Sequence, residues 1–278
     1  MNAHPLLLVA RQERILAVRS RWTQIFAVVF AGLALAVASS GYVLSGGHGV
    51  QDFARTAASL VQLVLLLVPL TSLLIGVLSL APERGAAELL FSQPISRRAI
   101  LLGKLLGLFE ALVAAQALGF GAAGLVVFSQ SGNEGLSAFL ILCAASAVLT
   151  AIFLSVAALL AATAIGRRRT RALALALVVW FVAVVLFDVA ALGIASLLPS
   201  GPASRVLIVA VLVDPVDAVR TAALLGIEGT AAFGAASLAL LRFTSGPWGA
   251  AMLLSVSLCA WIAGPTLGAI RRLRRTDV

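Results

Sequence analysis

The chain has 278 residues, of which 62% are hydrophobic and 11% charged, and it carries a formal net charge of +9. Its mean hydropathy is +1.11. A water-soluble domain of this length is about half apolar and about a quarter charged, so lipid is the solvent this composition fits, and a soluble enzyme, a disulfide scaffold and a disordered chain are excluded. The apolar segments are continuous rather than alternating, which argues against a β-barrel.

Residues 1–23 precede the first apolar run. Leu7, Leu8, Ile15, Val18 and Trp22 share one arc of a helical wheel, and Gln12, Glu13, Arg14, Arg19 and Arg21 take the rest. The pattern predicts an amphipathic helix in the cytoplasmic interface; the alternative is a plain basic flank. No small-residue cleavage site accompanies the first run, which is expected to be retained as a helix.

Six runs are long enough to span: residues 24–44, 57–80, 105–128, 138–165, 172–198 and 248–270. Each has the roughly 20 residues that cross the hydrocarbon core. Sixteen of the Arg and Lys residues fall in the N-terminal segment, the second and fourth connections and the tail, whereas the opposite side holds four. The asymmetry predicts both termini in the cytoplasm. The basic residues cluster between apolar runs and set orientation, so the lipid bilayer is the expected partner and nucleic acid is not.

The second connection, residues 81–104, has its own pattern. Pro82-Glu83-Arg84-Gly85 is followed by a short helical stretch that ends at Pro94, and Ser96 suits the cap of the third span. Glu88, Leu89, Leu90 and Phe91 give it acidic and apolar contact groups, as a docking element requires; a solvated hairpin is the alternative.

Two acids fall inside spans, Glu110 and Asp188. A charge at mid-bilayer costs about 2.5–3.5 kcal/mol on insertion scales. Glu110 is about one turn from the cytoplasmic end and can reach water. Asp188 is deeper, and both a functional group and a packing group with Gln62 or Gln116 as partner fit it.

The outer connection, residues 199–247, is the longest. Residues 206–213 form an apolar run too short to span. In Asp214-Pro215-Val216-Asp217, Asp214 suits an N-cap, Pro215 the first helical position and Asp217 the first turn. That helix is expected to stop at Gly226, with another short one over residues 231–241. The region reads as an extracytoplasmic helical cap.

The sequence contains no GxxxxGK[ST], so no ATPase of its own is expected. HExxH, GxSxG and zinc spacings are also missing, and the histidines are His4 and His48. Met252, Cys143 and Cys259 show no spacing suited to a copper path. No catalytic residue, bound cofactor or metal site is expected in this chain.

The run Pro82-Glu83-Arg84-Gly85, Glu88-Leu89-Leu90, Gln93-Pro94-Ile95-Ser96-Arg97 and Leu102-Gly103-Lys104, set between six spans, resembles the ABC-2 type permeases. The resemblance covers nearly the whole chain. It implies an all-α membrane protein with one transmembrane domain over residues 1–278, an interfacial N-terminal helix, a cytoplasmic coupling helix in the 81–104 loop and a helical outer loop between the fifth and sixth spans. It also implies a separate cytoplasmic ABC ATPase, holding ATP and Mg, docked through Glu83, Arg84, Glu88, Leu89, Leu90 and Gln93. Residues 175–188, Asp214 to Arg220 and Gly226-Ile227-Glu228-Gly229 resemble the NosY-type branch of that family, where the corresponding pattern is Asn-Pro-x-Asp-x-x-Arg; Asp214 departs from the Asn. That branch implies a homodimer in the bacterial inner membrane with a NosF-like ATPase. It also implies a NosD-like periplasmic protein, met through Asp214, Pro215, Asp217 and Arg220, in maturing the copper–sulfur site of nitrous oxide reductase. Two other functions are compatible with the residues: an exporter permease for a lipid, drug or other hydrophobic solute, and a non-transporting membrane scaffold.

Overall fold

The computed structural model describes residues 3–45, 49–81, 96–131, 136–163, 169–228, 235–244 and 246–275. All regular structure among them is helical, as it must be for non-barrel segments in lipid, where each backbone group needs an internal partner. The helices are α1 (Ala3–Arg19), α2 (Arg21–Ser45), α3 (Gly49–Leu80), α4 (Arg97–Ser131), α5 (Leu136–Thr163), α6 (Arg169–Ser196), α7 (Ser200–Val213), α8 (Pro215–Glu228), α9 (Ala235–Phe243) and α10 (Pro247–Arg275). Six of them are long and apolar enough to span: α2, α3, α4, α5, α6 and α10. They match the six predicted runs, and most extend beyond them into flanking polar residues. Hydropathy ends where water begins, whereas backbone hydrogen bonding continues.

The core lies among α2, α3, α4 and α5. Phe30, Leu65, Leu73, Leu108, Leu112, Leu149 and Phe153 are almost wholly buried there. The Phe30 and Phe120 rings meet edge to face at 5.2 Å, and Phe120 meets Phe139 the same way at 6.0 Å. Small residues let the helices close up, as membrane packing requires. A Cβ on Gly76 would sit 2.7 Å from the Ala157 Cβ. Half of the residues in the α3 and α5 spans are buried, against 11% in those of α6 and α10. The last two therefore turn most of their apolar surface outward.

Two expectations change. Gln116 is not a partner of Asp188. Its amide donates to Thr150 Oγ1 at 2.8 Å and accepts from Ser146 Oγ at 2.7 Å, so α5 satisfies it. Gln62 is exposed. Nor does α8 stop at Gly226; it continues to Glu228. Gly226 lies against Ile141, where a Cβ would meet the Ile141 Cδ1 at 3.0 Å. Its small size serves packing on α5, and the helix has no need to end there.

The outer connection is folded. α7 is a 14-residue helix that starts at Ser200, well before the predicted apolar run. Ile208, Val211, Ala218, Leu240, Ala250 and Leu254 bring α7, α8, α9 and α10 into one apolar cluster. Val216 and Val219 of α8 join the main core instead, so α8 closes the ends of the central spans.

Candidate functional site

Two polar layers lie at opposite ends of the spans. The inner one begins with α1. Its residues Leu7, Leu8, Ile15, Val18 and Trp22 are exposed, and Ala10, Glu13 and Ala17 are buried. Glu13, expected on the polar face, is therefore the side chain that α1 turns inward. Gly103 and Gly107 of α4 admit this face. A Cβ on Gly103 would sit 2.8 Å from the Leu6 carbonyl oxygen, and one on Gly107 would overlap that of Ala10. The Glu13 carboxylate accepts a hydrogen bond from Ser79 Oγ and lies 3.5 Å from Lys104 Nζ. Arg14 pairs with Glu110 at 2.9 Å, an exposed ion pair that contributes little stability. Glu110 is thus accounted for by α1.

Other cations in this layer cover carbonyls left open at helix ends. Lys104 donates to the Ser79 carbonyl at 3.2 Å, Arg97 donates to that of Leu273 at 2.9 Å, and Arg169 donates to that of Leu78. The last turn of a helix has unsatisfied carbonyls and the negative end of its dipole, which cations complement. Sequence reasoning passed over Glu13, Ser79, Lys104 and Arg97 as a group. The usable signal was Gly103 and Gly107 at four-residue spacing, facing Ala10, Glu13 and Ala17 at helical spacing.

The outer layer forms where α7 breaks into α8. Pro215 has no N–H, and the Asp214 carboxylate takes the N–H groups of Val216 and Asp217, both at 3.3 Å. The Leu212 and Val213 carbonyls, four residues before those N–H groups, lose their helical donors as a result. α10 replaces them: Ser257 Oγ donates to the Leu212 carbonyl at 2.6 Å and Trp261 Nε1 to that of Val213 at 3.1 Å. The cap therefore creates the acceptors that anchor the sixth span.

Asp188 enters the same layer from α6. Residues Val182–Leu186 form a π-helical segment, closed by Phe187 N–H on the Val182 carbonyl. Such wide turns insert one extra residue and commonly sit beside functional groups. Asp188, in the turn that follows, pairs with Arg220 of α8 at 2.9 Å. Arg220 also pairs with Asp217 at 2.6 Å. The carboxylate oxygens of Asp188, Asp214 and Asp217 lie within 4.8 Å of one another. Three acids thus share one guanidinium. Asp214 is buried; burial, reinforced by the charge of Asp217, pushes its carboxyl up to about 7. Burial also pushes Asp217 up to about 6, against the pull of Arg220. Oxygen-only donors at this spacing suit a hard cation or protons better than a soft metal, and Arg220 supplies a cation from within the chain.

The structure brings Asp188, Asp214, Asp217 and Arg220 together, with Pro215 at the break. Glu110 stands apart from them in the inner layer. Glu83, Arg84, Glu88, Leu89, Leu90 and Gln93 lie outside the described residues; only the stems of their connection, at Leu80 and Arg97, are described.

Known proteins share this framework. The family model for ABC-2 family transporter protein matches residues 7–278. A relative from Stutzerimonas stutzeri, named "Probable ABC transporter permease protein NosY", is 33% identical over 273 residues, covering 96% of this chain and 97% of that protein. A relative of the same name from Pseudomonas aeruginosa is 33% identical over 237 residues, covering 83% of this chain and 86% of its own length. With a family match over nearly the whole length and six apolar helices of spanning length, the chain belongs to the ABC-2 family of transporter proteins, as a multi-pass membrane permease subunit.

Proposed function

We propose that the chain is a NosY-like permease working as a homodimer in the bacterial inner membrane, driven by a separate NosF-like ABC ATPase. Both termini and the 82–95 connection face the cytoplasm in this reading, α1 lies in the inner interface, and Glu83 to Gln93 dock the ATPase, which holds ATP and Mg. The cap from Pro199 to Pro247 faces outward. There Asp214, Pro215, Asp217 and Arg220 meet a NosD-like periplasmic protein in maturing the copper–sulfur site of nitrous oxide reductase. The observation that carries this reading is the 33% identity to the Stutzerimonas NosY, because an alignment over 96% of the chain includes the outer cap as well as the spans.

The test is a strain lacking the chain. Its nitrous oxide reductase should lack the copper–sulfur centre, and the wild-type chain should restore it. Leu89→Asp, which puts an unpaired charge into an apolar contact, should insert normally yet fail to restore the centre. A complete centre in the deletion strain would overturn the proposal. Cysteines placed at Gly47, Asn133 and Gly229 should react with an impermeant maleimide in intact cells, and one at Ala87 should not.

A second reading, export of a hydrophobic solute, is favoured by an apolar cleft of about 270 Å³ between α4, α5 and α10, lined by Leu105, Phe109, Leu154 and Ile262. Solute-stimulated ATP hydrolysis with no extracytoplasmic protein would select it.

A further inference from the structure

The 82–95 connection leaves α3 at Leu80 and enters α4 at Arg97. Both stems meet on one side chain. One carboxylate oxygen of Glu13 accepts from Ser79 Oγ, in the last turn of α3, and the other lies 3.5 Å from Lys104 Nζ, two turns into α4. Lys104 closes the triangle by donating to the Ser79 carbonyl at 3.2 Å. Glu13 is only 6% exposed, and a buried carboxylate is retained only where it is paired and hydrogen-bonded. The backbone of α1 is held at the same place, because Gly103 and Gly107 let Leu6, Ala10 and Arg14 approach α4 more closely than a side chain would allow. The carboxylate therefore projects from a fixed helix into the gap between the two stems.

We propose that Glu13 is the positioning residue of the 82–95 connection: by binding both stems at once it makes α1, the end of α3 and the start of α4 one body, so that α1 sets how the connection is presented. This rests on the reading that the connection docks the ATPase. A displacement imposed on the connection then reaches α1 and α4 together, and the stems cannot splay independently.

Hydrogen exchange by mass spectrometry on the full chain in lipid nanodiscs tests the tie. In Glu13→Gln the last turn of α3 and the first two turns of α4 should exchange about tenfold faster, because local opening is governed by local contacts. α5 and α8 should be unchanged. Lys104→Met should act in the same direction, and the double variant should be no faster than the worse single, because both remove one coupled contact. Unchanged stems, or equal acceleration of α5, would overturn the proposal. The second readout is the ABC ATPase retained by the tagged chain from native membranes, which Glu13→Gln should lower several-fold at normal chain levels. Full retention beside loss in Leu89→Asp would overturn positioning by Glu13. Full retention in Leu89→Asp would instead sink the docking reading, and the exchange data would still decide whether Glu13 holds the stems.

Discussion

The two polar layers solve opposite problems. In the inner layer Glu13 and Glu110 are matched by Lys104 and Arg14, and further cations lie on helix-end carbonyls. In the outer layer Asp188, Asp214 and Asp217 share Arg220. A balanced layer can be static, because every charge has its counter-charge within the fold. An unbalanced one stores repulsion that protons, an added cation or a partner's basic surface would relieve. The contrast marks the inner layer as a frame and the outer one as the region open to control.

The largest test removes the one outer cation. Arg220→Met leaves three carboxylates facing each other. Breaking a fully buried pair costs about 3–5 kcal/mol; with the guanidinium 27% exposed, about 2–4 kcal/mol is expected. Thermal unfolding in detergent should show it, and the defect should shrink at pH 5.5 as the acids take up protons. A pH-independent defect would break the comparison.

The corresponding inner test is steric, since the frame depends on close approach. Gly107→Leu forces its side chain into the Ala10 carbonyl and should cost about 1–3 kcal/mol, as overpacking does. α1 should then become sensitive to protease while the outer cap stays intact.

Asp188→Asn sharpens the outer half. The amide keeps an acceptor for Arg220 and removes one negative charge, so stability should change by about 1 kcal/mol or less. Asp188→Leu should instead reduce assembly. If activity is lost in Asp188→Asn while the fold is kept, the charge itself is functional. A fully active Asp188→Leu would exclude both a functional and a structural role.

The smallest effect is a pH slope. Asp214 and Asp217 are raised to about 7 and about 6 by burial, above their value of 3.8 in the unfolded chain. The folded state therefore binds more protons between pH 4 and 7, and stability falls as pH rises through that window. The melting temperature should drop by roughly 3–6 °C from pH 5 to pH 8. Asp214→Asn keeps the N-cap and should flatten that slope. An unchanged slope would show that other groups control it.

The spans were legible because lipid imposes a continuous apolar run, and the α8 start because Asp-Pro has few uses besides a cap. The partner of Asp188 was not. Arg220 lies 32 residues and a helix break away, and hydropathy carries no pairing information. Glu13 was misassigned because a wheel sorts residues by polarity, and burial by a lysine and a serine on other helices inverts that sorting. Gln116 was seen as a polar residue in a span, but its partners Ser146 and Thr150 are common in apolar helices and give no signal of their own.

The wide turn at Val182–Leu186 has a consequence for chain length. A helix turns by about 100° per residue, so the extra residue held there sets the rotational phase of everything after it, Asp188 included. Deleting any one residue between Val182 and Leu186 would let the segment relax to regular helix and swing the acid about a quarter-turn from Arg220, with no functional side chain removed. A relative without the surplus residue would keep the ion pair only by carrying its acid at a shifted position. Counting residues between Phe181 and the acid therefore says more about whether a homologue shares this outer layer than the identity of any apolar residue in between.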